Sequence, residues 1–235
     1  MYIRFIGLIF TLFVCARSSS AQTELCKEKL RKSFAAMEKL YADSSNLYMH
    51  YKVNTMQALN KNIQADEVKV YMLDSIYVVS SSMASYYSDS KDAFMIMPLQ
   101  QKMYRLDVQS VKNKSFDQTS LFRKGMLDSS TVLSCSKLEN QSEKISMKPP
   151  LTFTQYTHIS KVDYILDAAN GLIKECTLYY VEGNPLVYTQ YLFIDINSKA
   201  VSPFVGGVKE LMLGKDNTPV SMYAGYRYTD LRQKK

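Results

Sequence analysis

The chain has 235 residues, 46% of them hydrophobic, and a formal net charge of +7. That length suits one domain or two small ones and is ample for a substantial core. The basic residues are scattered and alternate with apolar ones, whereas a nucleic-acid reader needs a clustered basic stripe with aromatics beside it, so nucleic acid is excluded as a partner.

Residues 1–21 read as a secretory signal peptide. Arg4 supplies the basic start, Phe5 to Val14 is an apolar run too short to span a bilayer, and Ser19-Ser20-Ala21 is a small-residue cleavage site before Gln22. A short membrane anchor is the alternative. Leu12-Phe13-Val14-Cys15 offers another, lipidation at Cys15, although Val14 is bulky for such a site. After cleavage Cys26, Cys135 and Cys176 remain, which in an oxidising compartment means at most one internal bridge and one spare thiol. Their connectivity is not readable, and no spacing resembles a zinc site.

Residues 24–42 predict a helix, because Cys26, Leu30, Phe34, Met37 and Tyr41 recur every three or four positions and share one face. From Asn46 the period becomes two. Leu47, Met49, Tyr51 and Val53 face one way, and Tyr48, His50, Lys52 and Asn54 the other. Val68, Val70 and Met72 repeat the pattern, and short strands follow at Ile76–Val79 and Met83–Tyr87. Ala93–Met97 is apolar on both parities, as in a strand covered on both faces. Met103–Asp107 is a further strand. Asp117–Asp128 predicts a helix capped by Asp117. Thr131–Lys137 and Lys144–Met147 are strand-like. Val162–Asn197 then holds three β-prone runs separated by Asp167–Gly171 and Glu182–Pro185, turn clusters too short for a parallel crossover, so the runs form an antiparallel meander. Glu210–Leu213 and Tyr223–Thr229 read as the last strands. Many short strands at near-regular spacing, with few helices, predict a mainly β (α+β) fold, an antiparallel sheet, barrel or half-barrel, in one domain over residues 22–235.

The catalytic reading is empty. His50 and His158 have no metal-ligating neighbour at strand or helix spacing, and no nucleophile or phosphate-binding motif is present. A Cys135–His158 pair is the one nucleophile–base combination open to the fold, and nothing marks an orienting third group for it. Asp163 and Asp167 flank a strand and a turn and read as solvated. The composition instead carries soft apolar bulk, 13 Met, 18 Tyr and 10 Phe with no Trp. Such side chains fill an ordinary β core, or line the mouth of an incompletely filled barrel, where Met adapts to varied ligands and Tyr adds a polar tip. The strand parities that avoid charge are Leu47, Met49, Tyr51 and Val53; Val68, Val70 and Met72; Met95 and Met97; Val162, Tyr164 and Leu166; and Leu192 and Ile194. They are the candidate ligand-binding residues. No catalytic residue, metal or cofactor is expected.

Tyr86–Lys102, with its strand, turn, strand and polar turn, and Asp167-Ala168-Ala169-Asn170-Gly171-Leu172-Ile173, followed by two long strands, together with a helix ahead of the first strand, resemble the LolA/LolB-like family of periplasmic lipoprotein carriers and sorting proteins. The resemblance implies an unclosed barrel with helices over its concave face and an apolar cavity for acyl chains. It implies a non-enzymatic carrier of lipid or lipoprotein acyl chains in the periplasm of a Gram-negative-type envelope. The alternative is an envelope scaffold with a filled core and a protein partner. The chain departs from the family pattern in lacking Trp. Arg105 and Arg123 are the candidates for the arginine with which some carriers hold their lid.

Export with cleavage before Gln22 is the first testable expectation. N-terminal sequencing of the protein recovered from the cell envelope should begin at Gln22, and a lipid-modified Cys15 at the N-terminus would refute it.

Overall fold

The computed structural model describes residues 22–40, 46–73, 76–108, 124–199, 203–204 and 206–232. The signal peptide, Tyr41 and the predicted helix start at Asp117 lie outside the described residues. The strands are β1 (Asn46–Gln57), β2 (Ile63–Leu73), β3 (Ile76–Ser80), β4 (Ser85–Ser88), β5 (Ala93–Met97), β6 (Lys102–Leu106), β7 (Thr131–Lys137), β8 (Glu143–Lys148), β9 (Ile159–Leu166), β10 (Ile173–Tyr180), β11 (Leu186–Asn197) and β12 (Arg227–Asp230). Their hydrogen-bonding order is β12-β6-β5-β4-β3-β2-β1-β11-β10-β9-β8-β7, a twelve-stranded sheet that ends at β12 and β7 without closing. β12 runs parallel to β6. Among the described residues the α-helices are α1 (22–40), α2 (Lys124–Ser129), α3 (Leu151–Thr157) and α4 (Val208–Met212). This is the unclosed, mainly antiparallel fold expected from the sequence. The chain divides into two compact units, one drawn from Met1–Met37 and Leu121–Tyr188, the other from Glu38–Ser120 and Thr189–Lys235.

In the first unit the β9–β10 turn forms as its residues dictate. Gly171 takes φ +69°, Asp167 Oδ1 accepts the Ala169 N–H at 2.7 Å, and Asn170 Oδ1 accepts the Leu172 N–H at 2.9 Å. The register that follows aligns Cys135, Ile145, Tyr164 and Cys176 in one row across β7, β8, β9 and β10. All four therefore share a face, and α1 closes it. Cys26, Leu30, Phe34 and Met37 are buried, as their spacing requires. The Phe34 ring meets Tyr164 edge to face at 5.5 Å. Cys26 is bonded to Cys135, and Cys176 stays a buried free thiol. Helix rise explains why both contacts form together. From Cys26 to Phe34 the axis advances about 12 Å, and β7 to β9 spans roughly 10 Å, so α1 crosses the strands. Lys29 Nζ to Glu143 Oε1 at 2.6 Å adds a contact at the rim.

The second unit has an apolar core on one side of β3, β5 and β6, made of Ile76, Val78, Phe94, Ile96 and Met103 with Val208, Met212 and Leu213. Here the sequence reading is corrected, because Glu210–Leu213 is not a strand. Val208, Leu211 and Met212 recur at helical spacing, and α4 turns them onto the core. The last strand is likewise shorter than expected, with a 3-10 turn at Ser221–Tyr223 ahead of β12. Asp89 places α4. Its carboxylate accepts the N–H groups of Lys91 and Asp92 at 2.7 Å and of Val208 at 2.9 Å. Beneath it, Asp92 and Arg105 form a buried ion pair, with Arg105 Nε 2.9 Å from Asp92 Oδ1 and the guanidinium 5.6 Å from the Phe94 ring centre. Register puts Arg105 opposite Phe94, so it belongs to this core and holds no lid over the other face. Arg123 lies outside the described residues.

The bridge closes a loop with a sequence separation of 109. Chain-entropy reasoning for a loop of that size gives about 4–5 kcal/mol, and measured losses are commonly about 2–4 kcal/mol. Cys26→Ser with Cys135→Ser should therefore lower unfolding free energy by at least about 2 kcal/mol in denaturant titration. Unchanged stability would show that α1 holds its place by packing alone.

Candidate functional site

Strand alternation gives β1 and β2 of the second unit a second apolar face. β1 presents Leu47, Met49, Tyr51 and Val53 to it, and register sets Met72, Val70 and Val68 opposite Leu47, Met49 and Tyr51. Leu47, Met49, Tyr51 and Val70 form its buried centre, at 1, 6, 6 and 5% exposure. Val53, Val68, Met72, Tyr77, Val79, Tyr191, Phe193 and Ile196 pack around them, partly buried. The Tyr51 ring lies 5.7 Å from Phe193 and 6.3 Å from Tyr191. Met95 extends the face across β5, opposite Tyr86 on β4 and Tyr104 on β6, and half-buried Met97 shares its parity.

The face carries phenols among its hydrocarbon. Tyr77 and Tyr86 have ring centres 6.1 Å apart. Burial, with smaller effects of the neighbouring Tyr51 and Tyr86, pushes the Tyr77 hydroxyl up to about 12. Burial also raises Tyr86, against a hydrogen bond from Ser88. Both phenols are therefore protonated at neutral pH and available as hydrogen-bond donors.

The structure brings nine of the candidate residues together here: Leu47, Met49, Tyr51, Val53, Val68, Val70, Met72, Met95 and Met97. It separates the rest. Val162, Tyr164 and Leu166 are buried at 1, 1 and 5% in the core of the first unit, where Tyr164 meets Phe34. On β11 the parity is the reverse of the sequence reading. Tyr191 and Phe193 join the face, whereas Leu192 is half-buried outside it and Ile194 is 56% exposed. Phe193 and Ile196 contact one cluster although three residues apart, so strict alternation is interrupted between them. A period-two reading carried back from Ile194 lands on the wrong side. Tyr77 and Tyr86 were missed because β3 and β4 are too short to show a period. Their side is legible only once Val79 is known to pair with Val70 and Tyr86.

Catalytic alternatives find no geometry. Cys135 is bonded to Cys26, which removes it as a nucleophile. His158 takes a left-handed conformation that ends α3, its N–H bonded to Thr154 O at 2.7 Å. His50 sits on the opposite face of β1, its Nε2 3.4 Å from Glu67 Oε2. Among the described residues no group of three His, Cys, Asp or Glu could hold a metal. Asp163 departs from expectation, being 3% exposed rather than solvated. Its Oδ2 receives Lys144 Nζ at 2.9 Å, Lys161 Nζ at 3.2 Å and the Tyr179 hydroxyl at 3.2 Å, on the face of β9 turned away from Tyr164. Burial works to raise the carboxyl, but hydrogen bonds from Lys144, Ser146 and Lys161 outweigh it and hold it below the ordinary carboxylate value. The charged carboxylate is thus a structural centre.

No family model matches this chain, and no curated protein matches it. Solved structures do. The Mycobacterium tuberculosis lipoprotein LppX is 9% identical, with a TM-score of 0.49 over 76% of this chain and 98% of that one. A LolA superfamily protein from Nitrosomonas europaea is 10% identical, with a TM-score of 0.31 over 77% and 94%. MucB in the Pseudomonas aeruginosa MucA/MucB complex is 13% identical, with a TM-score of 0.36 over 83% and 63%.

A depressed folded-state value means that Asp163 contributes stability above its unfolded value and loses it as pH falls through the lower folded one. Wild type should lose stability on acidification below about pH 4. Asp163→Asn should be less stable at pH 7 and lose less over the same interval. Equal pH slopes in the two proteins would refute this role.

Proposed function

We propose that this chain is an exported, non-enzymatic carrier or binder of an apolar ligand, of the lipid or lipoprotein acyl class, held against the Tyr51 face of the second unit in the periplasm of a Gram-negative-type envelope. The observation that supports this reading is the double-sided apolar character of β3–β5. One side is closed by α4 and its flanking residues. The other presents Tyr51, Val70, Met72, Tyr77 and Met95, and several of these stay only partly buried. Contiguous apolar surface of this kind on a soluble unit marks a ligand or partner site. Met and Tyr suit an occupant of variable shape, because one flexes and the other offers a polar tip to a mostly hydrocarbon guest. The signal peptide read in residues 1–21 supplies the route to the envelope.

A second reading has its own support. Leu47, Met49, Tyr51 and Val70 are nearly inaccessible, as in a filled core. On that reading the protein is an envelope scaffold whose partner binds elsewhere.

Titration with N-phenyl-1-naphthylamine, a neutral probe that fluoresces in apolar surroundings, separates the two. The mature protein should bind it saturably, and Met95→Glu, at a half-buried edge of the face, should abolish binding without unfolding the chain. Val70→Glu should do the same at greater cost in stability, since it buries a charge. Truncation of Met72 or Met95 to Ala should cost less than the 2–5 kcal/mol or so of a packed core. Absence of saturable binding, with full core-sized losses at both positions, would leave the scaffold.

A further inference from the structure

Antiparallel neighbours joined by short connections send alternate turns to opposite ends of a sheet. In the second unit β1 to β6 pair in this way, in chain order. The β1–β2, β3–β4 and β5–β6 turns therefore share one end, and the β4–β5 turn lies at the other. β12 runs parallel to β6 and starts at the shared end, where the Arg227 N–H bonds Gln101 O at 2.8 Å. Each of the three turns there holds a large apolar side chain out in solvent. Leu59 is 97% exposed at the β1–β2 tip with Ile63 at 57% beside it, Met83 is 64% exposed on β3–β4, and Leu99 is 83% exposed on β5–β6. None of the four belongs to either apolar cluster of the unit.

The polar groups of these turns are bonded within them. The Gln57 N–H bonds Asn62 O and the Lys61 N–H bonds Gln57 O, both at 3.1 Å, while Asn60 Oδ1 accepts the Asn62 N–H at 3.0 Å. Ser81 Oγ accepts the N–H groups of Met83 at 3.2 Å and Ala84 at 3.3 Å, and the Gln101 N–H bonds Pro98 O at 3.1 Å. Backbone satisfied from within enters a water-poor phase at small cost. Charge narrows what that phase is. Residues 58–63, 81–84 and 98–101 contain one charged side chain, Lys61, and no acid. Behind them Lys102 and Arg227 stand in register on β6 and β12. Asp66, further along β2, is engaged by the Ser82 N–H at 3.0 Å. At the opposite end the Asp89–Asp92 turn carries two carboxylates and one ammonium. A protein partner is matched by a closely packed apolar centre inside a polar rim. Single apolar side chains on separate turns, backed by cations, suit a fluid apolar phase with an anionic surface.

We propose that this end of the second unit docks on an anionic lipid surface, with Leu59, Met83 and Leu99 entering the boundary between headgroups and acyl chains and with Lys61, Lys102 and Arg227 meeting the headgroups. The β1–β2 tip leads, because that hairpin runs on past Asp66, where the β3–β4 turn is tied to it, to the Met56–Ile63 pair. The docking surface is separate from the Tyr51 face and does not depend on that face holding a ligand.

The test is flotation of the mature protein with vesicles of phosphatidylethanolamine mixed with phosphatidylglycerol, and with vesicles of phosphatidylcholine alone. Wild type should float with the first and much less with the second. The triple variant Leu59→Ser, Met83→Ser, Leu99→Ser should partition at least about tenfold less, since the transfer of three apolar side chains out of water is lost. Lys61→Gln should partition about fivefold less into the anionic vesicles, the worth of one cation at such a surface, and equally into the neutral ones. Leu231→Ser, at a residue 54% exposed where β12 ends, should match wild type. An unchanged unfolding midpoint in the triple variant shows that it is folded, and its unchanged affinity for N-phenyl-1-naphthylamine separates docking from binding at the Tyr51 face. Flotation of the triple variant like wild type, or an equal loss in Leu231→Ser, would overturn the proposal. So would absence of wild-type flotation with anionic vesicles, which would leave the exposed tips to a protein partner.

Discussion

A strand has two faces, and β3–β5 carry apolar side chains on both. Most of the second unit follows from that constraint. Phe94 and Ile96 point to one side and Met95 to the other, so a single cover cannot shield the strand from water. On the Phe94 side the cover is α4, and one carboxylate positions it. Asp89 accepts two N–H groups of its own turn and that of Val208, joining the β4–β5 turn to a helix more than a hundred residues later. The Asp92–Arg105 pair under Phe94 satisfies its own charges by mutual contact, which is the condition for burying them at all. On the Met95 side no such polar clamp is found among the described residues. The surface there consists of methionine, valine and tyrosine.

The first unit meets the same constraint differently. Its Tyr164 face is apolar and is closed by α1, which is anchored by packing at Phe34 and by a covalent bond at Cys26. Its other face is polar, with Asp163 at the centre of two ammonium groups and a phenol. A carboxylate so deeply placed is stable only while those partners hold it ionised. The two units thus divide their work. One is a closed core with a charged network on its back, and the other keeps an apolar face whose lining is still partly accessible. The proposed binding face lies on the second because, among the described residues, no helix packs on its lining as α1 does on that of the first.

What is local in the chain was legible from the sequence. Asp167, Asn170 and Gly171 can turn the backbone by their own side-chain hydrogen bonds and positive φ, so the β9–β10–β11 meander is readable without knowing anything else. The same holds for α1, whose apolar stripe repeats at helical spacing, and for β1 and β2, which alternate over Leu47–Asn54 and Glu67–Met72. Where a period is too short or is broken, the sequence misleads. Val208, Leu211 and Met212 fit a helix, yet five residues cannot be told from a strand until a core is present to receive them. Tyr191 and Phe193, rather than Leu192 and Ile194, line the face because alternation slips before Ile196, and a slip leaves no mark in composition. Tertiary structure alone decided three further matters. It paired Cys26 with Cys135, because α1 crosses β7. It buried Asp163, because two lysines and a tyrosine converge on it from neighbouring strands. It also set Tyr77 among hydrocarbon, because register and not sequence determines which side chains become neighbours across a sheet.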